Sequence, residues 1–195
     1  MPEETQVPSP LAMPDYEQLQ NELEVFELMT AGYVGSILRA ARLIPDDKWN
    51  WSYSERTPTA REICGHTFAW LWCDRQQIQV PDRARHRPTP DPPSDRQEMI
   101  SMLQAEAREW QILVRSLSTD QLEEGRVPWE GDPPRLIRSF LFHMGQNVIY
   151  KAGQIWMLAF ELGLDGTEPY DAPYPNAIYG FTGTASWPAP RNTVI

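Results

Sequence analysis

The stretch SFLFHMGQNVIYKAGQIWMLAFELG, residues 139–163, gathers most of the polar chemistry that this chain can place on one helix. His143, Asn147 and Lys151 follow one another at intervals of four, so each lies about one turn beyond the last. An imidazole can serve as base or metal ligand, an amide can position a substrate, and an ammonium can hold an anion. A desolvated lysine can also attack a carbonyl as a neutral amine. A second histidine, His66, stands in TAREICGHTFAW. The third, His86, falls among prolines and is expected to be solvated.

Which of these groups point inward follows from the helical period. With Ile137 set to zero and about 100° per residue, Leu141, Met144, Val148, Ala152, Ile155, Ala159 and Leu162 fall within about 60° of it. Lys151 lies about 40° from that centre, inside the apolar stripe, Asn147 about 80° out and His143 about 120° out, at the rim. His66 is flanked by Ile63 and Trp70, which places it on the inward side of its own helix. A buried cation is costly unless an anion, hydrogen bonds or water meet it, so these groups mark where a pocket should be sought. The structural alternatives are a hydrogen-bonded core histidine, a lysine that buries its stem and keeps its ammonium wet, and an ion pair between Lys151 and Glu106.

Four long helices must position these groups. The first is expected over 15–43, with Leu19, Leu23, Phe26, Tyr33, Ile37 and Ala41 at helical spacing. The second runs from the capping-box pair Thr59 and Glu62 to about Gln79. Residues 80–95, VPDRARHRPTPDPPSD, read as a long loop. The third helix covers roughly 94–117, followed by a short helical turn at STDQLEE, and the fourth runs from after GDPP to a C-cap at Gly163. No segment alternates with period two, so no sheet is expected, and the class is an all-α bundle. The chain divides into an N-terminal segment 1–14, a helical domain 15–166 and a tail 167–195. The tail is rich in proline and aromatics (Tyr170, Tyr174, Tyr179, Phe181 and Trp187), and is expected to lie over the helices or over a second subunit.

The 195 residues include 27 acidic and 17 basic side chains, a net charge of −10, which repels phosphate backbones and argues against a nucleic-acid partner. No apolar run is long enough to span a bilayer, and MPEETQVPSPLAMP lacks the features of a secretion signal, so a cytoplasmic protein is expected. Cys64 and Cys73, nine residues apart on one helix, cannot bond to each other.

In order and spacing, TAREICGHTFAW, the long loop and GQIWMLAFELGL resemble the DinB-like family, including its YfiT-type hydrolases. The resemblance spans roughly residues 15–168. It implies an up-down-down-up four-helix bundle, often dimeric. One histidine in the second helix and two in the last, in a pattern like His-x-x-x-His-Arg-Gly-Gln, would bind nickel or zinc for hydrolysis or for thiol-dependent transfer and isomerisation. Carried over, His66 matches the first ligand, Ala152–Gln154 match the end of the second motif, and the two remaining ligand positions fall on Asn147 and Lys151. An alternative register through HMGQ puts His143 at the third position and Ser139 at the second, but leaves too much helix after the motif.

The first register implies a degenerate triad with no metal expected. The pocket of His66, Asn147, Lys151, His143 and Gln154 would then take a small, anionic ligand. A shifted metal site is the alternative, with nickel or zinc on His66 and His143 assisted by Glu62 or Asp74. Imine chemistry at Lys151 and a purely structural homodimer are the further readings. The expected partners are a small-molecule ligand and a second subunit.

Overall fold

The computed structural model describes residues 19–164. Expectations for the N-terminal segment and for the tail lie outside these residues. Among the described residues there are four long helices: α1 Glu22–Leu43, α2 Ala60–Gln79, α3 Arg96–Ser116 and α4 Ile137–Glu161.

Each boundary has a local cause. Asn21 Oδ1 accepts the N–H groups of Leu23 at 2.9 Å and Glu24 at 3.2 Å, so α1 begins at Glu22 and residues 19–21 precede it, later than the expected start. Thr59 and Glu62 form the expected reciprocal capping box: Glu62 N–H donates to Thr59 Oγ1 at 3.2 Å and Thr59 N–H donates to Glu62 Oε2 at 2.8 Å. Asp95 caps α3 by accepting the Glu98 N–H at 2.8 Å. The fourth helix closes at Gly163, whose φ of +75° is the left-handed conformation that glycine adopts without penalty. There the Leu164 N–H reaches back to the Ala159 carbonyl at 2.9 Å and the Gly163 N–H to Phe160 at 2.9 Å, a Schellman ending.

The start of α4 lacks a side-chain cap. The backbone supplies what is missing: β1 Gly125–Arg126 pairs antiparallel with β2 Arg135–Leu136, and beside this ladder the Ile137 N–H donates to the Glu124 carbonyl at 3.0 Å. The expectation of no sheet is corrected by this two-residue ladder. Strands so short carry no period-two signal to read.

The bundle is up-down-down-up. α1 packs on α3 and α4, α2 packs on the same two, and α1 and α2 barely touch, so they form a diagonal. Glu22 meets Arg138, and Trp156 Nε1 donates to Ser36 Oγ at 2.7 Å. Early residues of α1 and α4 therefore meet early, and late meet late, so the two helices are parallel. Arg96 at the start of α3 donates to the Arg42 carbonyl at the end of α1, while Arg115 at its end binds Glu27 near the start of α1, so α3 opposes α1. In the same way His143, early in α4, meets Asp74, late in α2. The core between them holds Val34, Ile37 and Leu38, Ile63 and Leu71, Leu103 and Trp110, and Met144, Val148 and Ile155, each at most 1% exposed. Burying each such side chain contributes about 1.5–3 kcal/mol.

Ion pairs join the helices at the core margin. Arg75 donates to both carboxylate oxygens of Glu106, at 2.5 and 2.9 Å, so Glu106 is the partner of Arg75, and the alternative of a Lys151–Glu106 pair is set aside. No helix among the described residues is long and apolar enough to cross a membrane.

Candidate functional site

The side chains singled out on α4 line up against α2 and the loop before it. Nearest the start of α4, His143 Nδ1 meets Asp74 Oδ2 at 2.6 Å. Asp74 lies 3% exposed on the inward side of α2. Burial pushes its carboxyl pKa up and the bond from His143 pulls it back. The same bond raises the His143 pKa against partial desolvation, so the pair favours an imidazolium facing a carboxylate. With Nδ1 committed to Asp74, Nε2 is the ring nitrogen left for other work. The pair borders a recess of about 90 Å³ that Arg135, Ser139 and Trp129 also line.

Trp70 stands between the two histidines. Its ring packs edge-on to His143 at 4.8 Å between centroids, and its indole N–H donates to His66 Nε2 at 2.5 Å. His66 itself is exposed, which corrects the inward placement. The core face of α2 runs through Ile63, Cys64, Phe68, Leu71 and Ile78, and its centre lies about 140° from His66 on the wheel. Two apolar neighbours at minus three and plus four were too local a guide. The His66 pKa is lowered by desolvation first, then by the charges of Lys151 and His143. These three groups therefore share one electrostatic neighbourhood.

Lys151 is 8% exposed, on the inward flank where the period puts it, and burial lowers its pKa. Its ammonium donates to Gln154 Oε1 at 3.0 Å and lies 5.4 Å from the centre of the Tyr150 ring. Gln154 and Tyr150 are both walls of a cleft of about 530 Å³ between α4 and residues 53–58, with Tyr53, Arg56, Ile149, Gly153 and Met157 among the others. One turn before Lys151, Asn147 is half-buried and its Oδ1 is buried without a hydrogen-bond partner among the described residues. His86 lies apart, its Nε2 at 2.7 Å from the Val80 carbonyl, so it is bound into its loop instead of solvated.

The structure thus brings together Lys151 with Gln154, and His66 with His143 across Trp70. Tyr53 and Arg56 were missed because they sit in an aperiodic loop, and Trp70 because its indole N–H carries no pattern in sequence. The donor set at the three family positions suits a divalent cation poorly. The ammonium of Lys151 has no lone pair, Asn147 offers a neutral amide oxygen, and the Nε2 lone pair of His66 accepts from Trp70. In the shifted set, Asp74 is engaged by His143 and Glu62 by Thr59. Among the described residues no group of three or more His, Cys, Asp or Glu side chains is arranged to hold a metal ion.

Comparison with known proteins agrees with the architecture. Neither the curated proteins nor the solved structures gave a match. The sequence profile of the DinB superfamily matches residues 35–155, more than half of the chain and all four helices in whole or in part. With its helices in the order and directions described above, the chain belongs to the DinB superfamily.

Proposed function

We propose that this chain is a DinB-superfamily protein that works without a bound metal and holds a small anionic ligand, a carboxylate on an apolar body, in the cleft beside α4. The observation that carries this reading is Lys151, a buried cation whose only hydrogen bond among those described is to a neutral amide in the cleft wall. A desolvated ammonium without an anion is costly, and a carboxylate arriving beside Gln154 offsets that cost. Arg56, in the same cleft, supplies a second positive charge. Tyr53, Ile149, Tyr150 and Met157 suit an apolar body, and about 530 Å³ lies within the usual range of small-molecule sites.

The reading is tested by thermal melting of the full chain with benzoate, hexanoate and succinate. An aliphatic or aromatic monocarboxylate is expected to raise the melting temperature, by about 2.7 kcal/mol of stability at a hundred times its Kd, and Lys151→Met to abolish the shift. No shift with any of the three would end the reading.

A second reading, metal-assisted hydrolysis or thiol-dependent transfer, draws on the nearness of His66 and His143 around Trp70 and on the carboxylate behind His143. Elemental analysis after incubation with nickel, zinc or manganese and desalting separates the two. One retained metal per chain, lost in His143→Ala, would establish the second reading and overturn the first.

A further inference from the structure

We propose that Ser139, His143 and Asp74 form a second site, an acyl-transfer centre in which Ser139 takes an acyl group from small esters of short carboxylic acids. None of the three lines the cleft beside Lys151, so this site stands apart from the anion reading. Its base and its orienting group are already in place. Asp74 Oδ2 holds His143 Nδ1 at 2.6 Å, from a side chain only 4% exposed. Trp70 packs against the imidazole, nearly perpendicular to it at 4.8 Å between centroids, and steadies its plane. The other ring nitrogen, Nε2, lies across the ring from Asp74.

Helix geometry places the nucleophile. Ser139 precedes His143 by four residues on α4, so their Cβ atoms lie about 5–6 Å apart on one face. Side chains of an α-helix lean toward its N-terminus, which carries the imidazole back over the turn that holds Ser139. Both residues line the same recess, and Ser139 is exposed, open to an arriving substrate. Its turn is the first of α4, fixed by the β1–β2 ladder and by the bond from Ile137 to Glu124. A serine beside an imidazole that a buried carboxylate orients is the arrangement by which a hydroxyl becomes a nucleophile.

The recess sets the substrate class. Arg135 lines it, and its contact with Asp132 is long, at 4.0 Å, which leaves the guanidinium able to face an oxyanion. Trp70, Trp129 and Phe140 supply apolar walls, and Gln77 pins the loop that carries Trp129 by donating to the Pro128 carbonyl at 2.8 Å. At about 90 Å³ the space is far below the roughly 300 Å³ of the smallest usual ligand pockets, so it takes a short acyl chain and not a bulky one. In the reaction Ser139 Oγ bonds to the ester carbonyl carbon as its proton passes to His143 Nε2, and the negative charge on the carbonyl oxygen faces Arg135. The ester C–O bond then breaks, and the departing alkoxide takes the proton from Nε2. Water repeats the sequence: it gives a proton to Nε2 and bonds to the acyl carbon, and the Oγ–C bond breaks as Oγ regains the proton. Asp74 stabilises the imidazolium that forms at each attack.

Mixing the full chain with p-nitrophenyl acetate in the presence of EDTA is expected to release a burst of about one p-nitrophenolate per chain, followed by slower turnover. Ser139→Ala should abolish the burst while the circular dichroism stays unchanged. Asp74→Asn should slow acylation roughly a hundredfold or more, and p-nitrophenyl octanoate should react roughly tenfold or more slowly than the acetate. Phenylmethylsulfonyl fluoride should add once, at Ser139, by peptide mass mapping. The absence of a burst, a burst that survives Ser139→Ala, or a label on another residue overturns the proposal. Octanoate reacting as fast as acetate would remove the recess as the acyl site, and an unchanged rate in Asp74→Asn would remove Asp74. Hydrolysis that needs zinc or nickel in place of EDTA and is indifferent to Ser139→Ala overturns the proposal in favour of the metal reading.

Discussion

Asp74 shows how a buried ionisable group is kept in a helical core. Its carboxylate, 4% exposed at the side chain, has His143 as its hydrogen-bond partner. Truncation of His143 to alanine leaves that carboxylate desolvated and alone, which is expected to cost about 2–3 kcal/mol in urea unfolding. The loss carries a pH signature. The folded pKa of His143 is raised above its unfolded value, so its contribution is fully present below the unfolded pKa and is lost as pH rises through the folded one. The His66 pKa is lowered, so His66 acts in the opposite sense and weakens the fold as pH falls through its unfolded value toward the folded one. The gap in stability between the parent chain and His143→Ala should therefore narrow as pH rises from about 6 to about 9. A gap that widened would mean that Asp74 does not hold the imidazolium. At this scale the sequence was legible where a whole stripe fixed the wheel: Lys151 is inward because seven apolar residues of α4 define the centre. It misled at His66, where two neighbours stood in for a face, and it was silent on the indole N–H of Trp70, whose partner depends on rotamer and not on spacing.

Helices in this bundle are held at their margins by ion pairs that link neighbours. Arg75 and Glu106 join α2 to α3 with side-chain exposures of 13% and 4%, and Arg115 with Glu27 joins α3 to α1. Glu106 interrupts an otherwise apolar pattern in α3, and the physical reason is now plain: α2 presents a guanidinium opposite it in fork geometry. Burial raises the Glu106 pKa while Arg75 opposes the rise. Removing one partner leaves the other stranded, so Arg75→Met should cost about 3 kcal/mol. The double variant Arg75→Met with Glu106→Leu should recover most of that loss, because two apolar side chains of similar volume replace the pair. A double variant as unstable as the single one would show that Arg75 works through its packing on Trp72, 5.2 Å from the guanidinium, and not through the pair. Element boundaries were legible to the extent that they have local causes. The Thr59 box and the Gly163 ending are written in two residues each. The partner of Glu106, and the ladder that starts α4, depend on residues far apart in the chain.

Over the whole molecule, the up-down-down-up path follows from no local signal and was implied only by the family resemblance. It requires the chain to return from the end of α2 to the start of α3 along the bundle, and residues 80–95 make that return while touching α2. Gln76 binds the Arg87 backbone twice, at 2.7 and 2.8 Å, and Arg61 Nε donates to the Pro93 carbonyl at 3.4 Å. Gly65 belongs to this contact. A Cβ there would stand 3.1 and 3.2 Å from two carbons of the Pro92 ring, closer than the ring and its tethered loop can yield without loss. Gly153 is the control, a glycine in a helix of the same bundle with open space around it. An alanine in a helix interior is worth about 0.8–1 kcal/mol over glycine, so Gly153→Ala should stabilise the fold by about that amount. Gly65→Ala should instead lose about 1 kcal/mol, because overpacking against a rigid ring exceeds the helical gain. Both are to be measured by urea unfolding of the full chain. If Gly65→Ala proved as stabilising as Gly153→Ala, the return loop would be yielding freely. The close seating of Pro92 on α2 would then not be part of what fixes the bundle's order of helices.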